Sequence, residues 1–203
     1  MLTIYHSKQS RSMRVVWLAE EIGLAYELRH LAMFSDEMKT PDYLAVHPLG
    51  KVPAIDDDGF VLWETTAILE YLVASYSDGA LIPAPNTREG ALVRQWMSYG
   101  ENPLTVVMGE IAAHGGAMPP EQRIPALVDR GNEIAPALVT VVERALGNSP
   151  YLLGDDFSAA DVMVLFGLNI AKYLGFVNDG TSVARDYCER LVAREAYQRA
   201  ASV

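Results

Sequence analysis

The chain has 203 residues, half of them apolar, and a formal net charge of −10. That composition supports a sizeable core and excludes a disordered chain. It also argues against a nucleic-acid partner, which demands a basic stripe. No uncharged stretch approaches the ~20 residues of a membrane span, so no membrane partner is expected. Residues 1–5 show no basic region leading into a longer apolar one, so no secretory signal is expected either. The single cysteine, Cys188, excludes an intramolecular disulfide and a Cys-x-x-Cys redox pair, and it fits a reducing cytoplasm.

Residues 2–6 form a short β-type run. Residues 11–22 follow with helical spacing, Val15, Leu18 and Ile22 on one stripe, and Gly23 stands where a helix C-terminal cap belongs. Residues 26–31 alternate like a second strand, and the strand–helix–strand order predicts parallel pairing through a right-handed crossover. Residues 33–50 read as irregular, punctuated by Pro41 and Pro48. Two further short strands, 53–57 and 60–63, meet through Asp57-Asp58-Gly59, a hairpin signal. Residues 65–76 are helical again. The order βαβ then ββα defines a small α/β sandwich.

Residues 77–87 are a connector rich in proline and small residues. Everything beyond reads as helix, in segments near 88–112, 121–146, 158–175 and 182–201. Pro125, Gly131 and Pro136 lie inside the second. An interior proline costs ~3 kcal/mol, so a late start, break or kink is expected there. Ser158, with Asp161 three residues on and Phe157 and Val162 flanking, resembles a capping box with its hydrophobic staple, a structural device. His6, His30, His47 and His114 show no metal-ligand spacing, and Asp56-Asp57-Asp58 reads as a turn, so no metal is expected. Cys188 reads as a buried bystander.

Three stretches carry a family resemblance. His47-Pro48-Leu49-Gly50-Lys51-Val52-Pro53-Ala54-Ile55, followed by Leu62-Trp63-Glu64-Thr65-Thr66 and a helix, resembles the glutathione-binding segment of cytosolic glutathione transferases. There Asn-Pro-x-Gly-x-Val-Pro precedes Glu-Ser. The run from Tyr151 to Asp161 resembles the capping signature of that family's C-terminal domain, and residues 10–21 are similar to the first helix of its serine-type bacterial and fungal members. His47 stands where Asn is common, and Thr65 replaces Ser while keeping the hydroxyl.

The resemblance implies a thioredoxin-like glutathione-binding domain at 1–78, a linker at 79–87 and an all-helical C-terminal domain at 88–203. It implies a cytoplasmic homodimer that joins glutathione, as co-substrate, to a small hydrophobic electrophile. A non-catalytic glutathione- or hydrophobe-binding protein of the same fold, or a glutathione-dependent isomerase or peroxidase, are the alternatives. The electrophile is expected between the Ser10 loop and the first long helix of the second domain, near Trp96, Met97, Tyr99 and Met108, to none of which a role is assigned.

Family branches activate the thiol with Tyr, Ser or Cys near the end of the first strand. Tyr5, Ser7, Ser10 and Ser12 all fall in that window. Ser10 is the assigned catalytic residue, with Ser12 and Tyr5 as alternatives, although a serine before a helix is also an ordinary N-cap. Lys51, Val52, Glu64 and Thr65 are assigned to glutathione. A cis Val52–Pro53 bond would expose the Val52 backbone, and the helix start at Thr65 would seat the γ-glutamyl carboxylate. Lys51 is as well explained as a surface lysine, and Arg11 and Arg14 as solvated helix side chains.

Overall fold

Alternation decides the first sheet. Strand β1 (Leu2–His6) buries Leu2, Ile4 and His6 on one face and leaves Thr3 and Tyr5 half-buried on the other. In the computed structural model, which describes all 203 residues, β1 pairs in parallel with β2 (Glu27–His30), Ile4 opposite Leu28. On its other side β1 runs antiparallel to β3 (Ala54–Asp57), which pairs with β4 (Phe60–Trp63). The sheet order is β2-β1-β3-β4. Asp58 and Gly59 close the last hairpin at φ +51° and +92°, as a tight two-residue turn requires.

The crossover helix α1 (Met13–Glu21) buries Arg14 to Ala19 without a gap and ends ahead of Gly23 at φ +64°. Helix α3 (Thr65–Tyr76) buries Ile68, Leu69, Leu72 and Val73.

The stretch expected to be irregular holds a helix, α2 (Pro41–Val46), preceded by a 3-10 turn over Asp36–Lys39. Thr40 caps it by accepting the Tyr43 amide at 3.3 Å, and Pro41 sits in the first turn, where its missing N–H costs nothing. Gly50 then turns at φ +57°, and a Cβ there would lie 2.1 Å from the Met38 carbonyl oxygen.

The chain divides into two compact units, Met1–Ile82 with Ala193–Val203, and Pro83–Val192. The second is all helical, with α4 (Arg88–Tyr99), α5 (Val106–Ala112), α6 (Pro125–Leu146), α7 (Ala159–Tyr173) and α8 (Ser182–Val192). A single helix over 88–112 does not form. Asn102 leaves helical geometry at φ −139°, ψ 119° ahead of Pro103, which lacks an amide donor and pushes its predecessor to extended backbone. α6 starts late, at Pro125, and continues through Pro136. Helix α7 is buried nearly all round, from Ala159 to Leu165 and again at Leu168 and Ala171.

The last helix, α9 (Glu195–Ala201), which the sequence reading grouped with the helical domain, packs on α1 in the first unit. Trp17 meets Tyr197 edge-on at 5.1 Å. Arg194 grips the Glu21 carboxylate with two nitrogens, at 2.6 and 2.8 Å, and Arg199 reaches Glu20 at 2.6 Å. No helix is long and apolar enough to cross a membrane.

Candidate functional site

The turn between β1 and α1 gathers four polar side chains that the protein keeps from water: His6, Ser7, Ser10 and Ser12, each at most 7% exposed. Gln9, at φ +57°, bends the turn back on itself. Ser10 Oγ donates to the Ser7 carbonyl at 2.7 Å and lies 2.7 Å from Ser12 Oγ. Ser12 Oγ lies 2.9 Å from His6 Nδ1 and accepts the Ser7 amide at 3.1 Å.

Ser12, not Ser10, occupies the N-cap position of α1, and it makes no side-chain cap bond there. Ser10 instead accepts the Ser12 amide at 3.2 Å. Both hydroxyls thus stand at the positive end of the helix and face one another.

Tyr5 belongs to different surroundings. Strand alternation points it to the opposite sheet face from His6, where it packs 5.5 Å from the Tyr43 ring beside Met38, Leu31 and Val52. Burial there pushes its phenol up. The structure brings Ser10 and Ser12 together and leaves Tyr5 on the other side of the sheet.

Arg14 is a correction to the sequence reading. It is 1% exposed, one of the largest fully buried side chains, not a solvated one. Its Nη2 lies 3.4 Å from the Thr65 hydroxyl, and its Nε is 3.4 Å from the Arg11 carbonyl oxygen. A buried cation therefore links the starts of α1 and α3. Thr65 is itself buried. Glu64, just before it, is exposed and held at φ +76°, ψ 116°, a backbone that costs a non-glycine residue about 1–3 kcal/mol. Such strain persists only where surrounding structure holds it, and it presents this carboxylate directly ahead of the first amides of α3.

The Val52–Pro53 peptide is cis, with both side chains buried, while Lys51 is exposed and its carbonyl accepts the Tyr43 hydroxyl at 2.6 Å. His47 packs 5.5 Å from the Trp63 ring, and its imidazole is pushed down by burial.

His6 is the member of this buried cluster that sequence reasoning left out. Burial, helped by the nearby charges of His30 and Lys8, pushes its pKa down to about 4. The missed signal was the strand period itself, because every second residue of β1 faces inward and His6 is the last of them.

Elsewhere the inventory is bland. Cys188 is buried and its thiol is pushed up to about 12 by desolvation. Met97 and Met108 lie fully inside the core of the helical unit. No three His, Cys, Asp or Glu side chains are grouped to hold a metal ion.

A thioredoxin-like sheet of this order, a cis proline ahead of β3 and a buried hydroxyl cluster at the first helix are features of the glutathione transferase fold. Comparison with known proteins agrees. Residues 1–74 match the family described as glutathione S-transferase, N-terminal domain. The chain is 30% identical over 173 residues to the glutathione S-transferase GstB of Escherichia coli (strain K12), covering 81% of this chain and 80% of that one. Among solved structures it is similar to the glutathione transferase URE2P6 of Phanerochaete chrysosporium in complex with oxidized glutathione. That likeness has 26% identity and a TM-score of 0.86, over 98% of this chain and 94% of that one. It is also similar to the theta class glutathione S-transferase of Xanthomonas axonopodis pv. citri with glutathione bound, at 28% identity and a TM-score of 0.83, over 100% and 97%. The chain belongs to the glutathione S-transferase family.

Proposed function

We propose that this protein joins the sulfur of glutathione to small hydrophobic electrophiles, with Ser10 as the residue that activates the thiol. Glutathione supplies the nucleophilic sulfur, and the rest of the chemistry is a matter of what the protein holds around it. A free thiol has a pKa of ~8.5, so lowering it by ~2 units requires about 2.7 kcal/mol of preferential anion stabilisation. A hydrogen bond to a charged group contributes ~1.5–3 kcal/mol, and a helix N-terminus a further ~0.3–1 kcal/mol. The buried Ser10 hydroxyl at the mouth of α1 combines both, and it is the observation that carries this reading.

The remaining residues suit an anionic tripeptide. The start of α3 offers first-turn amides to a carboxylate, with the Thr65 hydroxyl beside Arg14 as a further donor. Glu64 receives the γ-glutamyl ammonium, the backbone of Val52 pairs with the cysteinyl unit, and Lys51 faces the remaining carboxylate. In this reading the protein works in the cytoplasm as a homodimer, with residues 1–78 binding glutathione.

Retention on immobilised glutathione followed by a screen of electrophiles tests the proposal. Retention with turnover supports it. Retention with no turnover across a broad panel moves the protein to a glutathione-binding role, and failure to bind glutathione overturns both. Sedimentation decides the assembly, because a dimer doubles the 22.3 kDa subunit mass.

A further inference from the structure

We propose that His6 and Ser12 are positioning residues that aim the Ser10 proton, forming a one-way hydrogen-bond chain from the His6 ring through Ser12 to Ser10. The inference rests on the reading of Ser10 as the thiol-activating group and goes beyond it, since it assigns two residues and a tautomer.

The argument is a count of protons. Three short contacts lie in series: His6 Nδ1 to Ser12 Oγ at 2.9 Å, Ser12 Oγ to Ser10 Oγ at 2.7 Å, and Ser10 Oγ to the Ser7 carbonyl oxygen at 2.7 Å. Each needs one proton. A carbonyl oxygen only accepts, so the last contact takes the Ser10 proton. The middle contact must then take the Ser12 proton. That leaves the first contact to be filled from the ring, so His6 carries its hydrogen on Nδ1. The reverse polarity, with Ser12 donating to His6, fills two contacts of the three and leaves the Ser7 carbonyl with nothing nearer than a share of the Ser12 hydroxyl at 3.3 Å. In the chosen direction the Ser7 and Ser12 amides, which donate to Ser12 Oγ and Ser10 Oγ, fill the remaining lone pair of each hydroxyl.

Every lone pair that could draw the Ser10 proton inward is thereby occupied, apart from that of the Ser7 carbonyl. The Ser10 O–H is the last donor of the chain, and rotation about its C–O bond turns it from the Ser7 carbonyl to an incoming sulfur anion. Donors linked in series polarise one another, so a chain headed by an N–H makes Ser10 a stronger donor than an isolated serine. The ring must be neutral at working pH for this tautomer to exist. The groups facing it are His30 on β2 and Lys8 in the following turn, and with burial they push its pKa down to about 4. His6 is thus not a proton sink. It fixes direction.

The experiment is a thiolate-absorbance titration of the glutathione complex in wild type, Ser10→Ala, Ser12→Ala, His6→Phe and Ser10→Ala/Ser12→Ala, with glutathione affinity measured on each. The expected result is a rise in bound-thiol pKa of about 0.1 to 0.7 unit for Ser12→Ala and a smaller rise of the same sign for His6→Phe, at nearly unchanged affinity. Ser12→Ala should add nothing in the Ser10→Ala background, because it acts only through Ser10. A purely structural role would lower the melting temperature and leave the thiol pKa in place. A raised pKa in Ser10→Ala with wild-type values in the other two single variants overturns the positioning role and keeps Ser10. An unmoved pKa in Ser10→Ala overturns both. Nitrogen NMR of wild-type His6 is independent of any variant's folding: protonation at Nδ1 supports the chain, and protonation at Nε2 alone defeats it.

Discussion

Helices α1 and α7 both begin at a serine, and the two starts handle their polar groups in opposite ways. At α7 the Asp161 carboxylate, fully buried, accepts the Ser158 amide at 2.8 Å, the Ser158 hydroxyl at 3.2 Å, the Leu152 amide at 3.1 Å and the Tyr187 hydroxyl at 2.7 Å. Every proton there is consumed inside the unit. At α1 the serine in the cap position does not cap its helix, and the line of hydroxyls ends in Ser10, whose proton rests on the Ser7 backbone carbonyl. A network closed on a buried carboxylate is a structural fastener, whereas one that ends on a single backbone carbonyl can turn its last proton to a ligand.

The largest effect should come from breaking the closed network. Asp161→Ala strands two buried amides and a buried phenol at ~1–3 kcal/mol each, partly relieved by relaxation, so we expect a loss of about 3–5 kcal/mol in chemical denaturation. The pKa of the glutathione thiol in the protein that still folds should be that of wild type. A shifted thiol pKa would mean that the two helix starts are coupled and the contrast between them false.

Next in size is the anion seat at α3. Replacing both Glu64 and Thr65 by alanine should weaken glutathione binding about 10- to 100-fold, a net loss worth one charged-group hydrogen bond of ~1.5–3 kcal/mol because the first-turn amides of α3 remain. Calorimetry that finds unchanged affinity would reduce the pair to a helix start like that of α7. Ser10→Ala acts on the reaction in place of affinity. Turnover at neutral pH should fall about 10- to 100-fold as ~1.4–2.7 kcal/mol of thiolate stabilisation is lost, with glutathione affinity little changed and stability lowered by about 1–3 kcal/mol as the Ser12 amide loses its acceptor. A lowered melting temperature with full turnover would make Ser10 a local turn-former and nothing more.

How legible all this was in the sequence depended on range. Strands β1 and β4, helix α3, the Asp58-Gly59 turn and the Ser158–Asp161 pairing rest on residues within a few positions of one another, and local pattern found them. Helix α2 was equally local and was passed over, because Pro41 was taken as punctuation when Thr40-Pro41-Asp42 is a cap, a first-turn proline and a first-turn acid. The break before Pro103 was missed for the converse reason, an apolar stripe that runs on across it. The grip of Arg194 on Glu21 spans 173 positions, and the burial of Arg14 against Thr65 spans 51. No local pattern carries such contacts. The family resemblance, together with its place before a helix, singles out Ser10, but the company it keeps needed the folded turn.

The smallest expected effect separates the two helix starts by the sign of their pH dependence. His6, beneath α1, has a folded pKa of about 4 against an ordinary value of 6.5, because burial and its neighbours His30 and Lys8 disfavour the cation. The unfolded chain therefore takes up a proton first as the pH falls. The contribution of His6 to stability is complete above pH 6.5 and is lost progressively between 6.5 and about 4. At pH 5.5 that loss amounts to about 1 kcal/mol. Asp161, at α7, shifts the other way: burial raises its carboxyl although four donors oppose the rise. Its contribution is therefore complete below the ordinary carboxylate range and is lost as pH rises through the folded value. Denaturation of wild type and His6→Phe at pH 7 and pH 5.5 isolates the first effect. His47, also pushed down by burial, remains in both proteins, so the difference between the two slopes belongs to His6. We expect wild type to lose about 1 kcal/mol more than the variant between those two pH values. Equal losses would mean that the ring takes up its proton in the folded state at an ordinary pH. An imidazolium would then occupy the head of the hydroxyl chain at mildly acid pH, and the contrast in sign between the two helix starts would fail.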